Sequence, residues 1–422
     1  KYDEYKDSGV AWIGEVPKHW EILRGKYVLK ILSGFPFDSQ KFEFEDNGVY
    51  MPLIRIRDIN GSSTEVYYSG SYPIESVVKT GEVLIGMDGD FNISKWKGTN
   101  ALLNQRVCKL REDSSMNTHY AFYMLSSPLK AINSVTYATT VKHLSVYDIY
   151  NAFIPVPPIS EQAAISTYLD THCAKIDNLI SIQQKRIALL QELKQSVITH
   201  AVTKGLNPNV EMKQSGVEWI GDVPKHWEIR KIKTLSAVKR GASPRPIDDP
   251  KYFAEGGEFS WVRIADVSAS DKYLTTTTQK LSKLGSSLSV KRFPGDIFIS
   301  IAGTVGKPII SSIKCCIHDG FVYFPYLKNM NTEFLYYIFM SGQPYLGLGK
   351  MGTQLNLNTE TIGNIDIPYP PITEQAAIAS YLDHKCATID TSISNAQHQI
   401  ELLQEYKQSL ITEVVTGKYK VC

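Results

Sequence analysis

Few side chains in this chain stand at spacings that could carry out a reaction. Asp88, Asp90 and Lys95 could be drawn into a metal-dependent nuclease cluster, but the spacing is loose and the second half of the chain does not reproduce it. Residues 303–307, GTVGK, hold part of a phosphate loop; the spacing is wrong and Pro308 stands where Ser or Thr should follow the lysine. The runs PVPPI from Pro155 and PYPPI from Pro368 resemble the N-P-P-[FY] of adenine methyltransferases, yet they lack the Asn or Asp and the aromatic residue. Neither a G-x-G-x-x-G fingerprint nor an H-E-x-x-H metal pair occurs, and none of the six cysteines forms a C-x-x-C pair. These motifs leave no recognisable catalytic or cofactor-binding constellation in the sequence.

The elements that would position a binding site come from a duplication. Residues 8–22 (SGVAWIGEVPKHWEI) and 215–229 (SGVEWIGDVPKHWEI) are identical at 13 of 15 positions. Residues 155–205 and 368–418 match without a gap at 31 of 51 positions. Between them, residues 23–154 and 230–367 barely resemble each other. A repeated scaffold thus holds two unlike inserts. In each later copy, prolines stop a strand, Ser160 or Thr373 caps a helix, and Glu161 or Glu374 sits in its first turn. Ile165, Leu169, Ile176, Ile180, Ile187, Leu190, Leu193 and Val197 then recur at spacings of three, four and seven, with Ile378, Leu382, Ile389, Ile393, Ile400, Leu403 and Leu410 on the twin, and the first six of each series are the candidate interface. Each series marks one apolar face of a helix of about 40–45 residues ending near Gly205 or Gly417. So narrow a stripe wants a helical partner or a subunit interface, and the twin helix, antiparallel about a pseudo-two-fold axis, is the nearest at hand. Within the inserts, short apolar runs broken by Gly, Asp and Asn predict strands at 50–56, 82–86, 106–110, 259–264, 296–301 and 321–325. Short helices are expected at 120–125 and 334–340. The fold class is α+β: two mixed, β-rich domains at 1–154 and 208–367, and two long antiparallel helices at 155–207 and 368–422.

The chain has 422 residues and a net charge of +2. No apolar run approaches the roughly 18 residues of a membrane helix. The first residues, KYDEYKDSG, lack the apolar core of a secretory signal. Cysteine usage demands no oxidising compartment, so a cytoplasmic location is expected. Residues 23–154 hold 14 Lys+Arg against 13 Asp+Glu, whereas residues 230–367 hold 17 against 11. The second insert is basic enough to suit a polyanion.

The order SGVxWIGxVPxHW, variable insert, PxPPxxEQxxIxxYLD…ID…LLQE.KQSxIT, twice over, resembles the specificity subunits (HsdS type) of type I restriction–modification systems. The resemblance covers the whole chain. It implies two target-recognition domains, each binding one half of a bipartite double-stranded DNA site, with the helices setting the spacing. It implies docking of two methyltransferase subunits, which bind S-adenosylmethionine and methylate adenine, and the possible presence of separate restriction subunits. It implies no chemistry on this chain.

Reading a duplex requires base-edge hydrogen bonds from Arg, Lys, Asn and Gln, together with phosphate contacts. Three regions of each insert suit this. The first is residues 34–41, matched by 240–245 with Arg240 and Arg245. The second is the strand bearing Arg55 and Arg57, or Arg263, with the following turn: Asn92, Lys95 and Lys97, or Thr304 and Lys307. The third is Thr140, Lys142 and His143, matched by Gln354 and Asn356. Two unlike readers call for an asymmetric site with unread base pairs between its halves. On charge alone, a duplicated coiled-coil adaptor that binds proteins and not DNA fits as well. The four tryptophans Trp12, Trp20, Trp219 and Trp227 of the short repeat are expected to anchor each domain on the helices.

Overall fold

The computed structural model describes residues 1–135, 142–346, 348 and 357–421. Contacts divide the chain into two compact units, Lys1–Gln183 with His398–Cys422, and Gln184–Gln397. The division cuts through both long helices, Ile159–Lys204 and Ile372–Val415. Each unit therefore owns the first part of one helix, the last part of the other, and one insert, so the four segments read along the chain are regrouped.

Helix boundaries follow from local chemistry. Glu161 and Glu374 occupy the first turns, where the helix dipole favours a carboxylate. Gly205 and Gly417 end the helices at φ +74° and +72°, a backbone that costs glycine nothing. Inside the first unit, Ile165, Leu169, Cys173 and Ile176 pack in one core with Leu410, Ile411, Val414 and Val415. Lys407 reaches Asp177 at 2.6 Å, so the two helical segments run antiparallel. The second unit repeats the arrangement: Ile378, Leu382 and Cys386 share a core with Ile198, Ala201 and Val202, and Lys194 reaches Asp390 at 2.7 Å.

This packing follows the twin-helix expectation for part of the stripe. Ile165, Leu169, Ile176, Ile378, Leu382 and Ile389 are at most 8 % exposed, and Ile180, Ile187, Leu190, Ile393, Ile400 and Leu403 are half-buried. The outer part of the stripe is thus core within each unit, while Ile187, Leu190, Ile393 and Ile400 keep some exposed surface. Leu193 of the expected stripe stays exposed instead, together with Leu179, Ile182 and Leu189 on the same helix and Leu402 and Tyr406 on the other.

Each insert is closed at its neck by a two-stranded ribbon. Glu21–Arg24 pairs with Phe153–Val156, and Glu228–Lys231 with Asp366–Tyr369, both antiparallel. Beyond the neck, each insert builds a four-stranded and a five-stranded sheet. In the first unit, the four-stranded sheet runs Ile93–Lys95, Val83–Gly86, Val107–Arg111, Lys30–Ser33. The matching sheet of the second unit runs Lys239–Arg240, Phe321–Tyr323, Ile297–Ser300, Pro308–Ser311 and gains an edge strand, Tyr273–Leu274. The helices Thr118–Val135 and Thr332–Met340 pack against these sheets in the expected places. The expected strand 259–264 stops at Val262. There the Asp266 carboxylate accepts the Arg263 N–H at 2.8 Å and opens the helix Ile264–Ala269.

Trp20 and Trp227 are fully buried. Each donates its indole N–H to the first-turn glutamate of a long helix, Trp20 to Glu161 at 3.0 Å and Trp227 to Glu374 at 2.9 Å. The repeated segment is thus a structural anchor within each unit.

Candidate nucleic-acid interface

One edge of each insert gathers the polar loops. In the second unit, the loop following Arg240 crosses the turn at His318 without a side chain in between. Gly241 donates its N–H to the Phe321 carbonyl at 2.9 Å, and a Cβ there would lie 2.1 Å from the His318 carbonyl oxygen. Asp319 collects the loop: Ser243 donates to it at 2.8 Å, Arg245 Nη2 lies 3.2 Å away, and Arg240 donates to its carbonyl. The Ser243 hydrogen bond, with Arg245 nearby, holds the Asp319 carboxyl below its ordinary range. His318 packs between Trp261 and Phe321, and this burial lowers its pKa. Its Nδ1 accepts the Gly320 N–H at 2.8 Å, which fits a neutral ring. Arg263 is exposed on the same edge, next to Val262, which pairs with Ile317 at the start of this turn. Thr304 is exposed, its hydroxyl 2.5 Å from that of Ser268, whereas Lys307 is tied inward, its ammonium donating to the Ser270 carbonyl at 2.6 Å. Burial lowers the pKa of Lys307.

The first unit has the same frame with other side chains. Gly34 donates to the Val107 carbonyl at 2.9 Å, and a Cβ there would lie 1.9 Å from the Asn104 carbonyl oxygen. Arg55 is the twin of Arg263, its N–H on Asp58 at 2.9 Å, but its guanidinium is engaged by Asp58 at 3.0 Å and Glu65 at 2.9 Å. Arg57, Asn92 and Lys97 are exposed. His143 Nδ1 lies 2.6 Å from Asp88, and Arg106 Nε lies 3.6 Å from the same carboxylate. Lys142 spends its ammonium on the Asn133 carbonyl at 2.6 Å. Lys95 points to the long helix and meets Asp170 at 2.6 Å. Thr140, Gln354 and Asn356 lie outside the described residues.

Thus Arg57, Asn92, Lys97 and His143 in one unit, and Arg240, Arg245 and Arg263 in the other, have heads that a ligand could reach. Arg55, Lys95, Lys142 and Lys307 are committed within the fold, and Thr304 is exposed beside Ser268. Sequence reasoning missed Arg106, Asp88 as its partner, and the turn 318–320. A polar triplet between two apolar runs, 104–106 and 318–320, was the available signal. Among the described residues no cluster of His, Cys, Asp or Glu could hold a metal ion, and no helix is long and apolar enough to cross a membrane.

A tandem pair of sheet domains, each packed on antiparallel helical segments and each presenting its own polar edge, defines the class of protein. The model of the type I restriction modification DNA specificity domain matches residues 17–192 and 224–402, and the chain belongs to this family. It is 28% identical to the type I restriction enzyme EcoBI specificity subunit of Escherichia coli, over 98% of this chain and 89% of that one. It is 26% identical to the MjaVIII specificity subunit of Methanocaldococcus jannaschii, over 96% and 94%. Its fold resembles a solved chain of a type I R-M system (TM-score 0.74, 19% identity, 96% of this chain and 99% of that one). It also resembles the HsdS subunit from Thermoanaerobacter tengcongensis (TM-score 0.51, 18% identity, 96% and 98%).

Proposed function

We propose that each unit reads one half of an asymmetric, bipartite double-stranded DNA site on behalf of a type I restriction–modification complex. The observation that carries this reading is the pairing of equal frames with unequal edges. Gly34 and Gly241, and Arg55 and Arg263, hold equivalent backbone positions. Yet one edge presents Arg57, Arg106 and His143, and the other Arg240, Arg245 and Arg263. Equal readers would select a palindrome; unlike readers select two unlike half-sites. Two methyltransferase subunits dock on the exposed apolar rows, Leu179, Ile182, Leu402 and Tyr406 in the first unit and Leu189 and Leu193 in the second. Those partners, not this chain, bind S-adenosylmethionine and carry out methyl transfer to adenine, and restriction subunits join through them in the cytoplasm. Exchanging residues 23–154 for the insert of another family member tests the reading. One half-site should change and the other stay; a change in both defeats it.

A further inference from the structure

Each unit ties its sheet to its long helix through one lysine, and the two lysines arrive from different strands. Lys95 ends the edge strand Ile93–Lys95 and places its ammonium 2.6 Å from Asp170 Oδ1. Tyr123 donates its hydroxyl to the same oxygen at 2.6 Å, and the ammonium lies over the rings of Phe122 and Tyr123 at 5.0 and 5.3 Å. In the second unit, Lys272 stands 2.5 Å from Asp383 Oδ1, Tyr337 donates to that oxygen at 2.5 Å, and the ammonium covers Tyr336 and Tyr337 at 5.6 and 4.9 Å. Asp170 and Asp383 are twins in the repeat. Tyr123 and Tyr337 are twins too, counted from Asn117 and Asn331, whose N–H groups bond the twin glutamines Gln162 and Gln375 at 2.8 Å.

The lysines are not twins. Lys95 pairs with Val83 across its strand; the corresponding partner of Ile297 is Ile310, an apolar residue. Lys272 comes from the segment beside it, its carbonyl accepting the Ile310 N–H at 3.1 Å. Two unlike inserts deliver the same cation to the same carboxylate by separate routes. The lysine side chains are largely sequestered, at 22% and 13% exposure, while the carboxylates are 42% and 40% exposed. An isolated exposed ion pair holds geometry weakly, but here each ammonium also lies on aromatic rings and shares its carboxylate oxygen with a tyrosine hydroxyl.

We propose that these two locks are positioning devices: each fixes its sheet domain on its helical segments, and together they set the number of unread base pairs the complex accepts. The proposal rests on the bipartite reading above. It makes Lys95 and Lys272 positioning residues, not DNA contacts.

The test uses the full chain co-expressed with its methyltransferase, and duplexes carrying both selected half-sites with the gap at its preferred length and one base pair shorter or longer. A wild-type preference of about tenfold, or roughly 1.4 kcal/mol, is expected to fall to about threefold or less in Lys95→Met and in Lys272→Met. The bases read and the slope of affinity against salt should not change, and Lys95→Arg should restore the gap preference. Should Lys95→Met fail to fold, Tyr123→Phe removes one hydrogen bond from Asp170, keeps the ring, and should shift the gap preference in the same direction. An unchanged gap preference in variants that unfold at the wild-type temperature overturns the proposal. So does an altered base, or a salt slope reduced by about one, which would make the lysine a DNA contact. A wild-type complex that selects no split site overturns the bipartite reading itself, before any variant is made.

Discussion

Trp20 donates its indole N–H to Glu161 at 3.0 Å, joining the first repeated segment to the first turn of the long helix. Tyr2 donates to the same carboxylate oxygen at 3.0 Å, and His19 Nε2 lies 2.7 Å from the other. Trp20 is fully buried, so Trp20→Ala removes a large core side chain and leaves the carboxylate short of a donor. Calorimetry of the complex should show a loss of about 3–5 kcal/mol. The recognised DNA sequence should not change; a switched sequence would mean that the segment reads DNA.

Acid should loosen the same joint. Burial pulls the Glu161 carboxyl upward, but hydrogen bonds from His19, Trp20 and Tyr2 outweigh it and hold the group below its ordinary value of 4.5. Asp170 behaves alike: burial raises it, Lys95 and Tyr123 lower it further, and it settles below 3.8. A carboxylate with a depressed folded pKa stabilises the fold above its unfolded pKa, and that contribution is lost as pH falls through the folded value. Unfolding temperatures should therefore decline as pH drops below about 4.5, and Glu161→Gln should flatten that decline. An equal decline in the variant would assign the acid sensitivity elsewhere.

Gly34→Ala and Gly241→Ala test the loop crossing at each polar edge. The added Cβ would meet a backbone carbonyl at 1.9 and 2.1 Å, and backbone cannot rotate away as a side chain can. Each variant should lose about 1–3 kcal/mol of stability or more. Each should also weaken binding to its own half-site, read by titration against duplexes in which one half-site is scrambled.

Much of this architecture was legible in the sequence because periodicity and punctuation are local signals. The stripe from Ile165 to Leu190, the prolines before Glu161, and the glycines after each helix place the helices within a few residues. The strands at 82–86, 106–110, 296–301 and 321–325 follow from apolar runs bounded by turn residues. The fate of long polar side chains was not legible. Lys95 and Lys97 differ by two positions, yet one meets Asp170, 75 residues away, and the other faces solvent. Arg55 and Arg263 hold twin backbone positions, yet Glu65 engages only Arg55. These outcomes depend on which carboxylate the tertiary fold brings near, and spacing along the chain carries no record of that. The apolar stripe, by contrast, pointed to the twin helix, and in each unit segments of the two helices share one core.

Arg245→Ala should act on one half-site alone. Its guanidinium is 70% exposed and held only at its edge by Asp319 at 3.2 Å. A base contact should cost about 1–3 kcal/mol, or roughly 5–150-fold, and relax a single position of the second half-site. Arg57→Ala should do the same to the first. Binding isotherms on singly substituted duplexes check both, and loss spread equally over both half-sites would contradict independent reading.

The most direct measurement is selection from a randomised duplex pool by the chain co-expressed with its neighbouring methyltransferase, followed by sequencing. Two unlike readers predict a split, asymmetric motif with a fixed unread gap. A palindrome, or no enrichment from an intact complex, would contradict it.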